Sequence, residues 1–316
     1  MSGDLGWMRS FINRGLWASG LSLALCAGDL TAADAVKPEI AALIEKLGSP
    51  HYASRERAAA ELSQLGLEAF DALHAAQNDP DIEVAERARY LLHSMHVNWS
   101  RPGDSPDVKR LLKDYGKQTE AERRSLLEQL GALDDAAGLD ALCRLARYEM
   151  STTLAKEAAL GLMSNEALTQ APVVDRLRKA VSEHVGSSDR VAAKWLVAYV
   201  RTLDDPASMA DAWKRMIADE RQLLVQYGDK QSSNKIVRDL YRWQAEYLQK
   251  LNRQDEAIDA VRQLIALSDG SREQLVEIID WLMQRKAYKV VDEVADKHPA
   301  RFAEDPLLTY RLAEAQ

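Results

Sequence analysis

From residue 38 onward apolar positions recur three and four apart, and no stretch alternates apolar with polar one by one between turn signals. Such spacing gathers apolar side chains on one face of an α-helix, so it predicts helices throughout and no strand. Proline marks the breaks. IAALIEKLG runs into Gly48-Ser49-Pro50 and LEAFDALHAAQ into Asn78-Asp79-Pro80, where a ring without an N–H stops a helix. Farther along, DRVAAKWLVAYV (189–200) sets Val191, Trp195, Leu196 and Tyr199 on one stripe, and DAWKRMIADERQLLVQY (211–227) is another amphipathic helix. Glycine (15) and proline (9) are scarce in 316 residues, while Ala, Leu, Glu, Arg, Gln and Lys recur, the usage of a chain that is nearly all helix. The fold class expected from the sequence is all-α.

The helices fall into repeated units. Setting IAALIEKLGSPHYASRERAAAELSQLG beside LEAFDALHAAQNDPDIEVAERARYLLHSMH aligns Leu43 with Leu73, Pro50 with Pro80, Ala58 with Ala88 and Leu62 with Leu92, each about thirty residues apart. The alanines let the second helix of each pair pack closely. This pattern resembles HEAT repeats of the short bacterial type, also seen in phycobilin-lyase-like proteins. After a loop at Trp99-Ser100-Arg101-Pro102-Gly103, TEAERRSLLEQLG (119–131) and STTLAKEAALGLM (151–163) read as inner helices. LDALCRLARY lies between them as the outer partner, a HEAT-like continuation over 104–165.

A second kind of unit closes the chain. In LNRQDEAIDAVRQLIAL, Asn252 stands near a turn between helices, Ala257 at a small packing position, and Leu264, Ile265 and Leu267 on a buried stripe. This resembles the second half of a tetratricopeptide repeat, a unit of about 34 residues. That interval carries Ala257 to Val291, just past Tyr288, and Leu248 to Leu282; it carries Ile278 and Ile279 to Leu312 and Ala313 in a third start, DPLLTYRLAEAQ. Gln244 and Ala245 depart from the family's leucine and glycine, Asp269 replaces its closing proline, and Pro299 comes early. The resemblance spans roughly 236–316. Taken together, the two resemblances imply an α-solenoid, because one helix pair cannot bury its apolar face alone and stacked neighbours can. The expected domains are 1–35, a signal peptide; 36–103, HEAT-like repeats; 104–204, their helical continuation; and 205–316, tetratricopeptide-like repeats that continue past the chain end.

The first residues read as an address. Arg9 and Arg14 precede an apolar stretch from Leu16 to Ala27, which is followed by small residues around Ala33-Asp34-Ala35. That order matches a secretory signal peptide cut near Ala35, with Met8 an alternative start, and the apolar stretch is too short for a permanent span. Leu23-Ala24-Leu25-Cys26 resembles a lipoprotein box, but Leu25 stands where a small residue is usual, so plain cleavage and export are expected. No other stretch is long and apolar enough to cross a bilayer. Only Cys26 and Cys143 occur, so removal of the leader leaves no internal disulfide pair.

Charge and chemistry narrow the function. The net charge is −8 and the basic residues are interleaved with acids, which argues against nucleic-acid binding. His93 and His96 share a helix face, yet a zinc site needs further ligands and none stands at a recognised spacing, so a solvated helix end is the expectation. Cys143 on an apolar stripe reads as a buried structural thiol, and Asp134-Asp135 and Glu120-Ala121-Glu122 as caps and first-turn acids. Trp195, Trp213, Trp243 and Trp281 read as packing between helices. No phosphate-cradling glycine loop or nucleophile elbow occurs, and no cofactor is expected.

The resemblance to tetratricopeptide repeats implies that Arg242, Glu246, Gln249, Asp280 and Met283 face a groove formed by first helices. Their mixed charge suits a peptide or protein. The expected function is an exported, non-enzymatic scaffold or peptide-binding solenoid of a bacterial periplasm or cell envelope. The alternative is the accessory arm of an envelope enzyme whose catalytic domain lies beyond residue 316; a bilin-lyase-like enzyme is disfavoured by export.

Overall fold

The computed structural model describes residues 38–186 and 188–316, all within one compact unit, Val36–Gln316. The proposed leader and Cys26 lie outside the described residues. The protein is all-α: 78% of the described residues are helical and none of them is in a strand. Its helices pack chiefly against near neighbours in sequence.

The amino-terminal layer holds α1 (Pro38–Lys46), α2 (Tyr52–Leu65), α3 (Phe70–Ala76) and α4 (Ile82–Ser94). The two turns before α2 and α4 repeat one device thirty residues apart: Ser49 Oγ accepts from the His51 N–H at 3.3 Å, and Asp79 Oδ1 from the Asp81 N–H at 2.8 Å. Both His51 and Asp81 are extended N-caps. Leu43, Leu73, Ala58, Ala88, Leu62 and Leu92, the positions that align in the sequence, are buried in one shared core cluster. At the first of these turns a Cβ on Gly48 would stand 2.7 Å from the Asp81 carboxylate and 2.9 Å from Val84 Cγ2, so any other residue there would force these side chains to shift.

In the middle lie α5 (Pro106–Leu112), α6 (Glu120–Gly131), α7 (Leu139–Tyr148), α8 (Thr152–Met163), α9 (Ala171–Ala180), α10 (Val191–Asp204) and α11 (Ala210–Tyr227). Thr119 and Glu122 close a reciprocal capping box at the start of α6, satisfying two backbone donors that the first turn leaves open. The end of α6 rides on Gly138, where a Cβ would lie 2.2 Å from the Leu130 carbonyl oxygen. Then α8 packs on α6, α7 and α10, and α9 ends in a π-helical turn at Val181–Val185. On α10 the buried stripe is Ala192, Ala193, Trp195, Leu196 and Tyr199. Val191, expected on it, is exposed because it is the first residue of the helix and lies beyond the packed face.

The tryptophans join the middle to the last region. Trp213 of α11 lies 4.3 Å from Trp243, which also meets Tyr199 at 6.1 Å and Tyr247 at 5.0 Å. The indole N–H of Trp213 donates to Thr202 Oγ1 at 2.8 Å, so its polar atom is satisfied inside the core. Trp243 and Tyr247 belong to α12 (Asn234–Lys250), followed by α13 (Gln254–Leu267), α14 (Arg272–Gln284), α15 (Tyr288–Lys297), α16 (Pro299–Glu304) and α17 (Pro306–Ala315).

In this region the hairpin turns repeat atom for atom. Asn252 and Lys286, 34 residues apart, both take a left-handed backbone, with φ of 59° and 55°. The N–H of Arg253 donates to Leu248 O at 2.9 Å and that of Ala287 to Leu282 O at 3.0 Å, six-residue closures that satisfy the last carbonyls of α12 and α14. Helices α14 and α17 begin after Ser271 and Asp305, again 34 apart. Ala257, Val291, Leu248 and Leu282 are all fully or almost fully buried.

Candidate functional site

The predicted contact residues lie on successive first helices: Arg242, Glu246 and Gln249 on α12, Asp280 and Met283 on α14. All five are partly buried. Arg242, Gln249 and Asp280 belong to a row of polar contacts that ties each first helix to the next. Arg242 meets both oxygens of Glu277 on α14 at 2.8 and 2.9 Å, and lies 3.8 Å from Asp239 on its own helix. Gln249 accepts from Arg285, whose guanidinium stacks 4.0 Å over the Trp281 ring and donates to the Trp281 carbonyl at 3.0 Å. Asp280 pairs with Arg311 of α17 at 3.0 Å, and Arg311 with Glu314 at 3.0 Å.

The row follows the period of the turns. Glu246, Asp280 and Glu314 occupy one register at 34-residue intervals, and each has guanidinium groups near it. Burial holds the Glu246 carboxyl above the usual carboxylate range, against the pull of Lys250, Arg242 and Arg285. Burial likewise lowers the Arg285 guanidinium, with Glu246 opposing. Chemically the face offers directional donors and acceptors whose side chains are already ordered by one another. A ligand with both charges can exchange with these pairs without first paying the entropy of freezing long side chains. Glu277, Arg285 and Arg311 escaped the sequence reading, although the charge reversals between Arg242 and Glu277 and between Asp280 and Arg311, about one unit apart, were available as a signal.

Cys143 is fully buried and burial pushes its thiol up, the opposite of what a nucleophile needs. His93 and His96 are exposed at the end of α4, where His93 Nδ1 lies 2.7 Å from the Arg89 carbonyl. Among the described residues no group of three or more His, Cys, Asp or Glu side chains is placed to hold a metal ion. No described helix is long and apolar enough to cross a membrane.

Two buried ionic contacts were also missed. Lys156 on α8 and Glu220 on α11 meet at 2.7 Å with about 1% of each side chain exposed, and the ammonium also donates to Gln231 O at 2.7 Å. Tyr115 donates to Glu149 at 2.7 Å, and Arg123 pairs with the other oxygen of that carboxylate at 2.5 Å. The available signal at Lys156 was its place among Ala155, Ala159, Leu160 and Met163 on an apolar helix, where an unpaired ammonium would be costly.

Compared with protein-family models, with curated proteins and with solved structures, the chain matches none.

Proposed function

We propose that the protein is a non-enzymatic α-solenoid scaffold that binds a protein or peptide segment on the first-helix face of α12, α14 and α17. The observation that carries this reading is the 34-residue recurrence of the α12–α13 turn at α14–α15, with the row of ion pairs in the same period. Recurrence at that interval supports tetratricopeptide-like units here, and the thirty-residue recurrence of the turns before α2 and α4 supports HEAT-like units in the first layer. Stacked pairs present an extended face made of many similar helices, which suits an extended polypeptide better than a small molecule. The order of charge, apolar stretch and small residues in 9–35 supports export, with action in a periplasm or cell envelope.

Affinity capture from an envelope extract tests the reading. The wild-type chain is expected to retain a defined polypeptide that Arg242→Glu and Asp280→Lys each release while keeping the helical circular dichroism of the wild type. Retention of the same polypeptide by both variants would count against this face.

A further inference from the structure

His74, on α3 in the amino-terminal layer, meets groups from a distant part of the chain. The Arg190 guanidinium lies 3.3 Å from its Nε2, and the imidazole also hydrogen-bonds the backbone of Met150. A guanidinium can only donate, so the ring nitrogen facing Arg190 must accept and carry no proton. Arg190 cannot withdraw easily: it donates to the carbonyls of Arg147 and of Glu149, the latter at 2.6 Å, and lies 5.6 Å over the Phe70 ring. The charged and titratable groups around the contact are Asp71 from α3, Arg147 and Tyr148 from α7, Glu149 from the turn after α7, and Arg190 from the segment before α10. Both carboxylates are engaged by other cations, Asp71 by Arg147 at 3.3 Å and Glu149 by Arg123 at 2.5 Å. Phe70 packs edge-on against Tyr148 at 5.3 Å, and Tyr148 and Met150 lie on the core cluster of α1–α4, so this contact is where the layer meets the middle of the chain.

We propose that this contact is an acid-sensitive latch: protonation of His74 sets an imidazolium against the clamped Arg190 and releases the α1–α4 layer from α7 and the segment before α10. Burial first, and Arg190 second, already hold the imidazole well below its ordinary value, down to about 4, so the closed latch excludes the proton that opening admits. With about 4 closed and 6.5 open, the open-to-closed ratio rises about 20-fold between pH 7 and pH 5. The latch is independent of the peptide-binding reading, since it uses none of the residues of α12, α14 or α17.

Hydrogen exchange followed by mass spectrometry on the full chain, corrected for intrinsic rates, tests it. Peptides covering 66–80 are expected to lose about 20-fold in protection from pH 7 to pH 5, and to be less protected at both pH values than those covering α8 and α12. His74→Gln should abolish the response, because the amide oxygen accepts from Arg190, the amide nitrogen donates, and neither titrates. Equal loss of protection in the wild type and His74→Gln would overturn the latch. So would an NMR titration of the wild-type His74 ring with a midpoint near 6.5, whatever the folding of the variant.

Discussion

Glu220→Ala tests how the middle of the chain is held. Lys156 and Glu220 join α8 to α11, both essentially without solvent, and the mutation leaves the ammonium with the Gln231 carbonyl and the Trp195 ring 5.9 Å away. Removing one partner of a buried pair costs about 3 to 5 kcal/mol, because the other charge remains buried without it. The lysine has an escape. Burial already lowers its affinity for the proton, with Glu220 opposing, and without Glu220 it can shed the proton altogether. From an unfolded value near 10.5, deprotonation at pH 7 costs about 5 kcal/mol at about 1.4 kcal/mol per unit, and at pH 9 about 2. The folded variant then binds fewer protons than its unfolded state, so its stability should rise as pH increases toward the unfolded lysine value. Urea unfolding followed by circular dichroism at pH 7 and pH 9 measures both the loss and its relief. Lys156→Met combined with Glu220→Leu should recover stability to within about 1 kcal/mol of wild type. A loss below about 1 kcal/mol at pH 7, or a double variant as unstable as the single, would refute the reasoning.

Wild-type stability should fall as pH drops from 6.5 to 4, because the unfolded state takes up a proton that the folded His74 refuses; the loss reaches at most about 3 kcal/mol, and pH-dependent melting of wild type against His74→Gln isolates it. Gly138→Ala should cost about 1 to 3 kcal/mol, since its Cβ meets the Leu130 carbonyl of α6, whereas Gly161→Ala on α8 meets nothing within 4 Å and should stabilise by about 1 kcal/mol in the same denaturation assay. Gly270→Ala should lower the melting temperature, because φ there is +73° and a Cβ would stand 2.9 Å from the His298 ring.

What the sequence makes legible is local. Pro50 and Pro80, Asn252, and the buried pairs Ala58 with Ala88 and Leu248 with Leu282 follow from helix period and turn chemistry within one or two units, and the helices stand where those signals put them. Lys286 shows the limit within a turn: it takes the left-handed backbone that Asn252 takes more readily, so position in the unit prevails over residue preference. The ionic contacts were harder to see because their partners are distant. Arg190 and His74 are 116 residues apart and Lys156 and Glu220 are 64 apart, so no local pattern links them. On the first-helix face, the register of the resemblance marked Arg242, Glu246, Gln249, Asp280 and Met283, but Glu277, Arg285 and Arg311, which engage Arg242, Gln249 and Asp280, lie on or at the end of the next first helix.

The central claim is that a polypeptide binds across α12, α14 and α17. Site-specific photo-crosslinking tests it most directly, with the photoreactive residue placed singly at Gln249 or Met283 on that face and at Asp259 or Asp292 on the second helices. The account predicts adducts of one polypeptide from Gln249 and Met283, lost on Arg242→Glu, with none from Asp259 or Asp292. Adducts of the same polypeptide from the second-helix positions alone would contradict it.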